Sequence, residues 1–276
     1  MTPCVRVSFI KRRVRTDMKF AMVACDVMHR EISYCVSRSK AIVDVRFMKK
    51  GLHDVGQQRM SRSLQEEIDR IPAGEYDAVL LGYGLCNMGI RQLYCEHLPM
   101  VVTRAHDCIT MLLGSKERYQ EYFDEEPGTF YRSTGWIERD SPQIGADGKS
   151  LSVMTQLGFN QTYEELLTKF SPDNARYIFE TMNEWADLTN YKRLAYIDMG
   201  IGEFPLLERQ AKDEAEEKGW RYETMQGDIS LLQSLVDGEW NPDKFLVVPP
   251  GKTIVPTYQE DIVRVEERGA DSPEAQ

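Results

Sequence analysis

Three cysteines and one histidine stand where apolar runs of the chain end, and these residue types could bind a metal. Cys25, Cys86 and Cys108 follow the runs FAMVA, DAVLL and PMVVT, and His106 precedes Cys108 by two residues. Thiolate and imidazole are the usual ligands of zinc, and thiolates also hold iron–sulfur clusters. Because the carboxyl ends of parallel strands meet at one sheet edge, the pattern predicts a zinc or iron–sulfur site at these four residues. Three cysteines would leave one coordination position free for a substrate.

The alternative is that the cysteines are small, buried apolar side chains. The chain has six cysteines and no CxxC pair, so any metal site must be assembled from distant segments. We expect Cys4, Cys35 and Cys95 to be core residues of this kind. The His-x-Cys pair also allows a nucleophilic Cys108, because the amino end of a helix lowers the pKa of a thiol.

The glycines before Cys86 raise the question of a nucleotide site. Gly82-x-Gly84 follows an apolar run, but the next glycine is Gly89, which is too late for the dinucleotide fingerprint. We therefore expect Gly82 and Gly84 to permit a sharp turn and a close approach to a ligand. Arg104 directly follows the third run and could pair with a carboxylate or phosphate, or form a structural salt bridge.

A helix is predicted immediately after the His-x-Cys pair. Apolar positions at helical spacing continue over residues 109–119, and Asp107 is placed to cap the helix. This spacing puts Gly114-Ser115-Lys116 inside the helix rather than after a strand, which argues against a Walker loop.

Further candidate ligand-binding residues follow the later run RLAYIDM. Asp198 and Glu203 flank Gly200 and Gly202, and this glycine-rich segment could face the cysteines across a cleft. The alternative is that both acids are ordinary surface carboxylates.

The elements that must position these residues are predicted from apolar runs that alternate with helical patterns. Most runs are continuous, as in parallel strands covered on both faces. They occupy residues 20–24, 41–47, 77–81, 99–103, 193–199 and 245–248. The pattern predicts an α/β fold with two Rossmann-like lobes, mostly parallel sheets and an interlobe cleft.

The domain boundaries follow changes in composition. Residues 141–165 are rich in Gly, Ser, Pro and polar side chains, which are typical of a linker. We predict five segments: an N-terminal extension (1–17), a first α/β lobe (18–140), a linker and helical connector (141–190), a second α/β lobe (191–256) and a C-terminal tail (257–276).

Composition excludes several classes of function. The chain of 276 residues carries a formal net charge of −10, which disfavours nucleic acid and anionic membranes as partners. No apolar run reaches the roughly 20 residues of a membrane span, and the basic N-terminus lacks the apolar core of a signal peptide. We expect a cytoplasmic protein without disulfides.

The segments GYGLCNMG, RAHDCITMLLGSKERY, PGTFYRSTGWIE and GDISLLQSLVDGEWNPDKFLVVPPG resemble an uncharacterised bacterial and archaeal family of unknown function, over residues 20–256. Members of that family are often encoded beside corrinoid-dependent methyltransferases, so the resemblance implies methyl-group metabolism. The His106-x-Cys108 pair is also similar to the zinc ligands of barrel-fold enzymes that transfer a methyl group from a corrinoid to a thiol. Those enzymes have a further cysteine after the pair, and this chain does not.

These observations predict a metal-binding enzyme or accessory factor of corrinoid-linked one-carbon metabolism. If it is an enzyme, we expect metal-dependent methyl transfer or related one-carbon chemistry. The expected partners are a small-molecule ligand and a corrinoid protein or methyltransferase. The alternative is a non-catalytic module that binds a corrinoid, a methylated small molecule or a partner methyltransferase.

Overall fold

The computed structural model describes residues 18–86, 88–140, 163–168, 171–177, 191–257 and 259–268. The predicted N-terminal extension lies outside the described residues, as do most of the linker and connector and the end of the predicted tail. No helix within the described ranges is long and apolar enough to cross a membrane.

The fold is mixed α/β with mostly parallel sheets. The first sheet has five strands in the order β2-β1-β3-β4-β8, of which only β8 runs antiparallel to its neighbour. Its strands are β1 (Lys19–Cys25), β2 (Ile42–Met48), β3 (Ala78–Gly82), β4 (Met100–Thr103) and β8 (Phe245–Val248). The central strands are apolar runs buried along almost their whole length, as expected of a sheet covered on both faces.

The second sheet is smaller and entirely parallel, in the order β5-β6-β7. Its strands are β5 (Thr129–Ser133), β6 (Arg193–Asp198) and β7 (Arg221–Gln226). A separate antiparallel hairpin joins β9 (Lys252–Pro256) to β10 (Val263–Glu267). The hairpin touches the loop after β3 through a bridge between Tyr94 and Thr253.

The helices connect the strands in the manner of βαβ units. They are α1 (His29–Arg38), α2 (Gln57–Asp69), α3 (Cys108–Leu113), α4 (Lys116–Glu125), α5 (Thr134–Glu138), α6 (Tyr163–Leu167), α7 (172–177), α8 (Pro205–Glu217) and α9 (Ser230–Val236). Short 3-10 helices occupy Asp26–Met28 and Leu52–Val55.

The helix predicted over 109–119 is interrupted. Gly114 ends α3 with a φ of 81°, and the side chain of Ser115 accepts a hydrogen bond from the Arg118 N–H to cap α4. Gly114-Ser115-Lys116 therefore forms a junction between two helices, because glycine adopts the left-handed conformation without steric cost. The prediction that Asp107 caps α3 is confirmed, since its carboxylate accepts the Thr110 N–H at 2.9 Å.

Two strands pair across the boundary between the predicted lobes. β5 lies within the predicted first lobe but pairs with β6, and β8 lies within the predicted second lobe but pairs with β4. The predicted tail contributes β10 to the hairpin. Local sequence predicts that a strand forms, whereas its neighbour is chosen by long-range burial. Phe245 and Val248 of β8 accordingly lie in the cores on opposite faces of the first sheet.

One core joins the two sheets. Buried residues of β1, including Phe20 and Met22, belong to the same cluster as Ala195 and Ile197 of β6. Helices α1, α3 and α9 contribute to this cluster between the sheets. The opposite face of the first sheet packs on α2 and on the β9–β10 hairpin.

Candidate metal centre

The three cysteines predicted as metal ligands line one small cavity. Cys25 ends β1, Cys86 follows β3 and Cys108 follows β4, and these three strands are adjacent in the first sheet. The cavity measures about 20 Å³. Its walls are Cys25, Val27, Met28, Leu52, Met60, Tyr83, Cys86, Cys108 and Trp136. Apart from the thiols and the Tyr83 hydroxyl, the walls are largely apolar.

The loops that carry Cys86 and Cys108 are joined by backbone hydrogen bonds. The N–H of Leu85 donates to the carbonyl of Ala105 at 2.8 Å, and the N–H of Cys86 donates to that of His106 at 2.9 Å. Gly84 allows this approach: a Cβ there would lie 2.7 Å from the backbone nitrogen of Asp107. Gly84 therefore allows the loops that carry Cys86 and Cys108 to come into contact.

Cys86 itself adopts a left-handed backbone conformation, with φ of 43°. This region costs a residue with a Cβ roughly 1–2 kcal/mol, and such residues cluster at functional sites. The strained conformation turns the side chain of Cys86 toward the cavity that it shares with Cys25 and Cys108.

The second sheet closes the cavity. Trp136 belongs to α5, which begins directly after β5 of the second sheet. Gly135 brings α5 against the segment that follows Cys25, because a Cβ at Gly135 would overlap the carbonyl oxygen of Val27. The cysteine cavity thus lies where the carboxyl end of β5 meets the carboxyl edge of the first sheet.

Burial determines the protonation of all three thiols. Removal from water raises the pKa of Cys25 to about 11 and also raises the pKa of Cys86 and Cys108. Cys25 further raises the pKa of Cys86, and both of them raise the pKa of Cys108, since neighbouring thiolates repel one another. Donation from the N–H of Val27 to Cys25 and from that of Cys108 to Cys86 opposes this effect. The thiols are therefore neutral near pH 7 unless a bound cation displaces their protons.

This electrostatic environment bears on the nucleophilic alternative for Cys108. The expectation was a pKa lowered by the amino end of a helix, and Cys108 is indeed the first residue of α3. Burial outweighs this effect, so the pKa of the thiol lies well above its ordinary value. Cys108 is thus not an activated nucleophile in the protein alone.

Charged groups lie beside the cavity on the Cys25 side. Asp26 accepts a hydrogen bond from the backbone N–H of Lys50, and burial raises the pKa of its carboxyl. The side chain of Lys50 is only 8% exposed and contacts Asp140 at 2.6 Å. It also lies 4.7 Å from the centre of the Trp136 ring. The positive charge of Lys50 lowers the pKa of Cys25, so it favours the thiolate form.

His106 does not join the three cysteines. Its side chain is exposed and is not among the residues that line the cavity. The reason is local: α3 begins at Cys108 and buries that side chain, while His106 remains in the preceding loop. His106 contributes to the geometry of the site only through its backbone carbonyl, which accepts a hydrogen bond from the Cys86 N–H.

Arg104 forms a structural clamp at the edge of a different cavity. Its guanidinium donates to the backbone carbonyls of Pro242, Asp261 and Val263 at 2.9, 2.7 and 2.5 Å. These contacts join the end of β4 to the segment that precedes β8 and to the start of β10. Arg104 also lines a larger cavity of about 490 Å³, with Lys116 and Lys244, so a ligand there would contact a guanidinium already engaged by carbonyls.

The other predicted ligand-binding residues form turns. The Asp198 carboxylate accepts the N–H of Gly200 at 2.9 Å, and Gly202 packs on the ring of Phe204. Glu203 is exposed. None of these four predicted residues is among those that line the cysteine cavity. Gly82 has a packing role, because a Cβ there would overlap that of Ala24 on the neighbouring strand.

The remaining thiols agree with the expectation of core residues. Cys35 and Cys95 are buried and free, and each belongs to a large apolar cluster. Cys4 lies outside the described residues.

Tyr83 and Trp136 are site residues that sequence reasoning missed. Tyr83 is buried between Gly82 and Gly84, and a hydrogen bond from its hydroxyl to the Cys25 thiol lowers the pKa of that thiol. Its position inside the GYGLC segment could have drawn attention to it. Trp136 lies in the segment GTFYRSTGWIE, which gave no pattern that places it near the cysteines.

The described residues contain no group of three or more His, Cys, Asp or Glu side chains already arranged around one metal position. The class that fold and site define is a mixed α/β protein with three converging cysteines at a sheet edge. The chain belongs to the family described as protein of unknown function DUF1638, whose model matches residues 47–236. No curated protein and no solved structure matches the chain.

Proposed function

We propose that Cys25, Cys86 and Cys108 hold a metal centre, zinc or an iron–sulfur cluster, and that this centre serves an enzyme or accessory factor of corrinoid-linked methyl-group metabolism. One observation carries the metal proposal: three thiols from three adjacent strand ends line a single cavity. A bound cation would remove the repulsion between thiolates, and thiolate ligands are the ones that zinc and iron–sulfur clusters select.

The backbone around the cysteines supports this proposal. Cys86 holds a costly left-handed conformation, and Gly84 permits two loops to touch. Backbone N–H groups of Val27 and Cys108 point at cysteine sulfurs. Such donors stabilise thiolates and tune metal centres that they surround.

The size of the cavity bears on which metal binds. A volume of about 20 Å³ holds one water or one ion. A single zinc ion therefore needs only the sulfurs to draw inward. An iron–sulfur cluster needs outward movement of a wall, and the wall side chains of Leu52 and Trp136 could supply it.

The proposal also includes an arrangement of two lobes around a cleft. We take the two sheets as two Rossmann-like lobes whose carboxyl ends enclose an interlobe cleft, with the cysteine cavity at its base. The contact between Gly135 and Val27 supports this arrangement, because it brings the end of β5 against the segment that follows β1. A metal with one open coordination position at this depth could bind and activate a small thiol or methylated substrate.

The test is metal analysis of the full chain purified without oxygen. We expect about one zinc per chain, or iron and sulfide with broad visible absorption. Cys86→Ala should lose the metal, whereas the matched Cys95→Ala, which removes a buried thiol outside the cavity, should keep it. Metal far below one equivalent in the unaltered protein after reconstitution with zinc and with iron and sulfide would refute the proposal. Methyl transfer from methylcob(III)alamin to a thiol, dependent on Cys86, would test the corrinoid link.

A second candidate function is ligand binding without catalysis. The larger cavity of about 490 Å³ favours it, because a volume of this size accommodates a small molecule. Its walls carry both charges, including Lys116, Lys244 and Asp243, which suits a methylated ammonium compound that also has a carboxylate. Calorimetric titration with glycine betaine would test this candidate. Binding that persists in Cys108→Ala and is lost in Asp243→Asn would favour it over metal chemistry.

A further inference from the structure

Glu31 is a buried carboxyl that the proposed metal centre does not use. It lies in the first turn of α1 and is 2% exposed. Its Oε2 is buried and has no hydrogen-bond partner among the described residues, whereas a hydrogen bond from its own backbone N–H favours the ionised carboxylate. Burial outweighs that bond and raises the pKa of the carboxyl to about 7, because removing a charge from water costs free energy. The group therefore changes its charge near neutral pH in the interior of the protein.

The carboxyl lies where α1 meets the second sheet. Its negative charge raises the pKa of Tyr196, a buried phenol on β6, and the charge of Glu138 on α5 raises the pKa of Glu31 in turn. Arg30, the preceding residue of α1, donates to both carboxylate oxygens of Glu138 at 2.8 and 2.6 Å. The guanidinium lowers the pKa of Glu31 by less than burial raises it. Arg30 thus neutralises Glu138 rather than Glu31.

The other elements that pack on α1 bring apolar or negative groups. Asp237 directly follows α9 and raises the pKa of Cys35, which lies one turn beyond Glu31 on the same face of α1. β2 contributes apolar side chains to the same core cluster, and the 3-10 helix before α1 carries Asp26. Ionised Glu31 would therefore add a negative charge to an interface that already holds Glu138 on one side and Asp237 on the other.

This interface forms one side of the cysteine cavity. Val27 and Met28, in the 3-10 helix directly before α1, line the cavity. The second sheet is seated against the same segment, because a Cβ at Gly135 of α5 would overlap the carbonyl oxygen of Val27. Displacement of α1 from the second sheet would therefore move a wall of the cavity.

We propose that Glu31 is a pH-sensitive switch: the interface between α1 and the second sheet is closed when the carboxyl is protonated and opens when it ionises, which uncovers the cysteine cavity. This inference goes beyond the proposed metal centre and does not depend on it. The closed state binds the proton more tightly, so its advantage is complete below pH 4.5 and is lost as the pH rises through 7. With an ordinary pKa of 4.5 in the open state and about 7 in the closed state, linkage raises the opening equilibrium about tenfold between pH 6 and pH 8.

Labelling of Cys35 with iodoacetamide in the full chain tests this proposal. Cys35 is fully buried, so its thiol reacts only when the interface opens. Labelling rates are measured by peptide mass spectrometry at pH 6 and pH 8 in the unaltered protein and in Glu31→Gln, which keeps the shape of the side chain but does not ionise. The ratio of the two rates cancels the intrinsic dependence of thiol reactivity on pH. We expect the rate in the unaltered protein, divided by the rate in Glu31→Gln, to rise about tenfold from pH 6 to pH 8.

Two controls separate local opening from a general effect. Glu66→Gln replaces an exposed carboxyl on α2, so Cys35 in this variant should be labelled as in the unaltered protein at both pH values. Cys95 is buried on the opposite face of the first sheet, so its ratio between the unaltered protein and Glu31→Gln should not change with pH. A constant ratio for Cys35 would overturn the inference. An equal rise at Cys95 would also overturn it, because it would show unfolding of the whole chain rather than opening of one interface.

Hydrogen exchange in the unaltered protein provides a measurement that needs no variant. After correction for intrinsic exchange rates, protection of the amides of residues 26–38 should fall about tenfold between pH 6 and pH 8, while protection of α2 should stay unchanged. The same change in both segments, or no change in residues 26–38, would refute the switch.

Discussion

Replacement of Gly84 by alanine tests whether the contact between the two cysteine loops builds the site. A Cβ at this position would lie 2.7 Å from the nitrogen and 2.8 Å from the Cα of Asp107, and 2.9 Å from the carbonyl oxygen of Ala105. All three atoms are backbone, so no side-chain rotation relieves the overlap. The loops must separate by several tenths of an ångström to restore ordinary contact.

Separation of the two loops in Gly84→Ala destabilises the protein because it disturbs the contacts between them. Two hydrogen bonds join the loops, from Leu85 to Ala105 and from Cys86 to His106. Weakening both, at about 1 kcal/mol each, with added steric strain, predicts a loss of about 2–3 kcal/mol in the free energy of unfolding. For a chain of this size Tm should fall by about 5–10 °C. Movement of Cys86 away from Cys108 should lower metal affinity about 10–100-fold, as displaced supporting groups do.

Competition with a chromophoric chelator measures metal affinity, and thermal unfolding of the metal-free protein measures stability. Gly74→Ala is the control, because Gly74 has positive φ but no atom within 4 Å of a Cβ. It should cost about 1 kcal/mol through its backbone conformation and leave metal affinity unchanged. Unaltered metal affinity in a folded Gly84→Ala protein would refute the reasoning that this contact positions the ligands.

Other perturbations give independent expectations. Three thiols with raised pKa must each release a proton when a metal binds, so metal affinity should rise by about 10³-fold per pH unit between pH 6 and 8. Chelator competition measures this dependence. Release of only about one proton per metal bound would contradict a three-thiolate site. Glu31 is 2% exposed and burial raises its pKa to about 7, so its favourable contribution is complete below pH 4.5 and lost as pH rises through 7. Glu31→Gln should therefore stabilise the protein by up to about 3 kcal/mol at pH 8.5 and by little at pH 4.5, and an equal effect in denaturant titrations at both values would exclude this mechanism. Arg104→Ala removes the clamp on three carbonyls and should cost about 2–3 kcal/mol in urea unfolding without altering metal content; loss of metal at unchanged stability would instead assign Arg104 to the site.

Much of the first sheet could be predicted from sequence because its strands are continuous apolar runs. FAMVA, DAVLL and PMVVT become β1, β3 and β4, which are buried along almost their whole length. β5 was missed because its sequence, TFYRS, mixes polar and apolar residues on a short strand at a sheet edge. The hairpin of β9 and β10 was missed for the same reason, since half of its residues are polar.

Local sequence does not predict which strands pair with each other. FLVV correctly predicted β8, but nothing in four residues shows that it runs antiparallel beside β4. Arg104, which follows β4, supports that pairing by binding carbonyls near β8 and β10 across more than 130 residues of chain. Such contacts form only when the chain is folded. Lobes predicted as continuous segments of sequence therefore separate strands that pair in the structure.

The convergence of three cysteines was predictable for a reason that did not extend to His106. Parallel strands share an edge, so residues that closely follow β1, β3 and β4 lie at the same edge of the sheet. The direction of each side chain is a property of the loop. A helix that starts at Cys108 buries that side chain and leaves His106 exposed. Spacing thus predicts position along an edge more reliably than membership of a ligand set.

The local costs at the cavity point in one direction when taken together. Cys86 holds a left-handed backbone, and three neutral thiols occupy a space that larger apolar side chains would fill. Both features lower stability, and binding of a cation by the thiols would offset that cost. A fold selected for stability alone would place Asn or Gly at position 86. Because the strained Cys86 backbone and three thiols meet in one cavity, ligand binding explains their combination better than packing does.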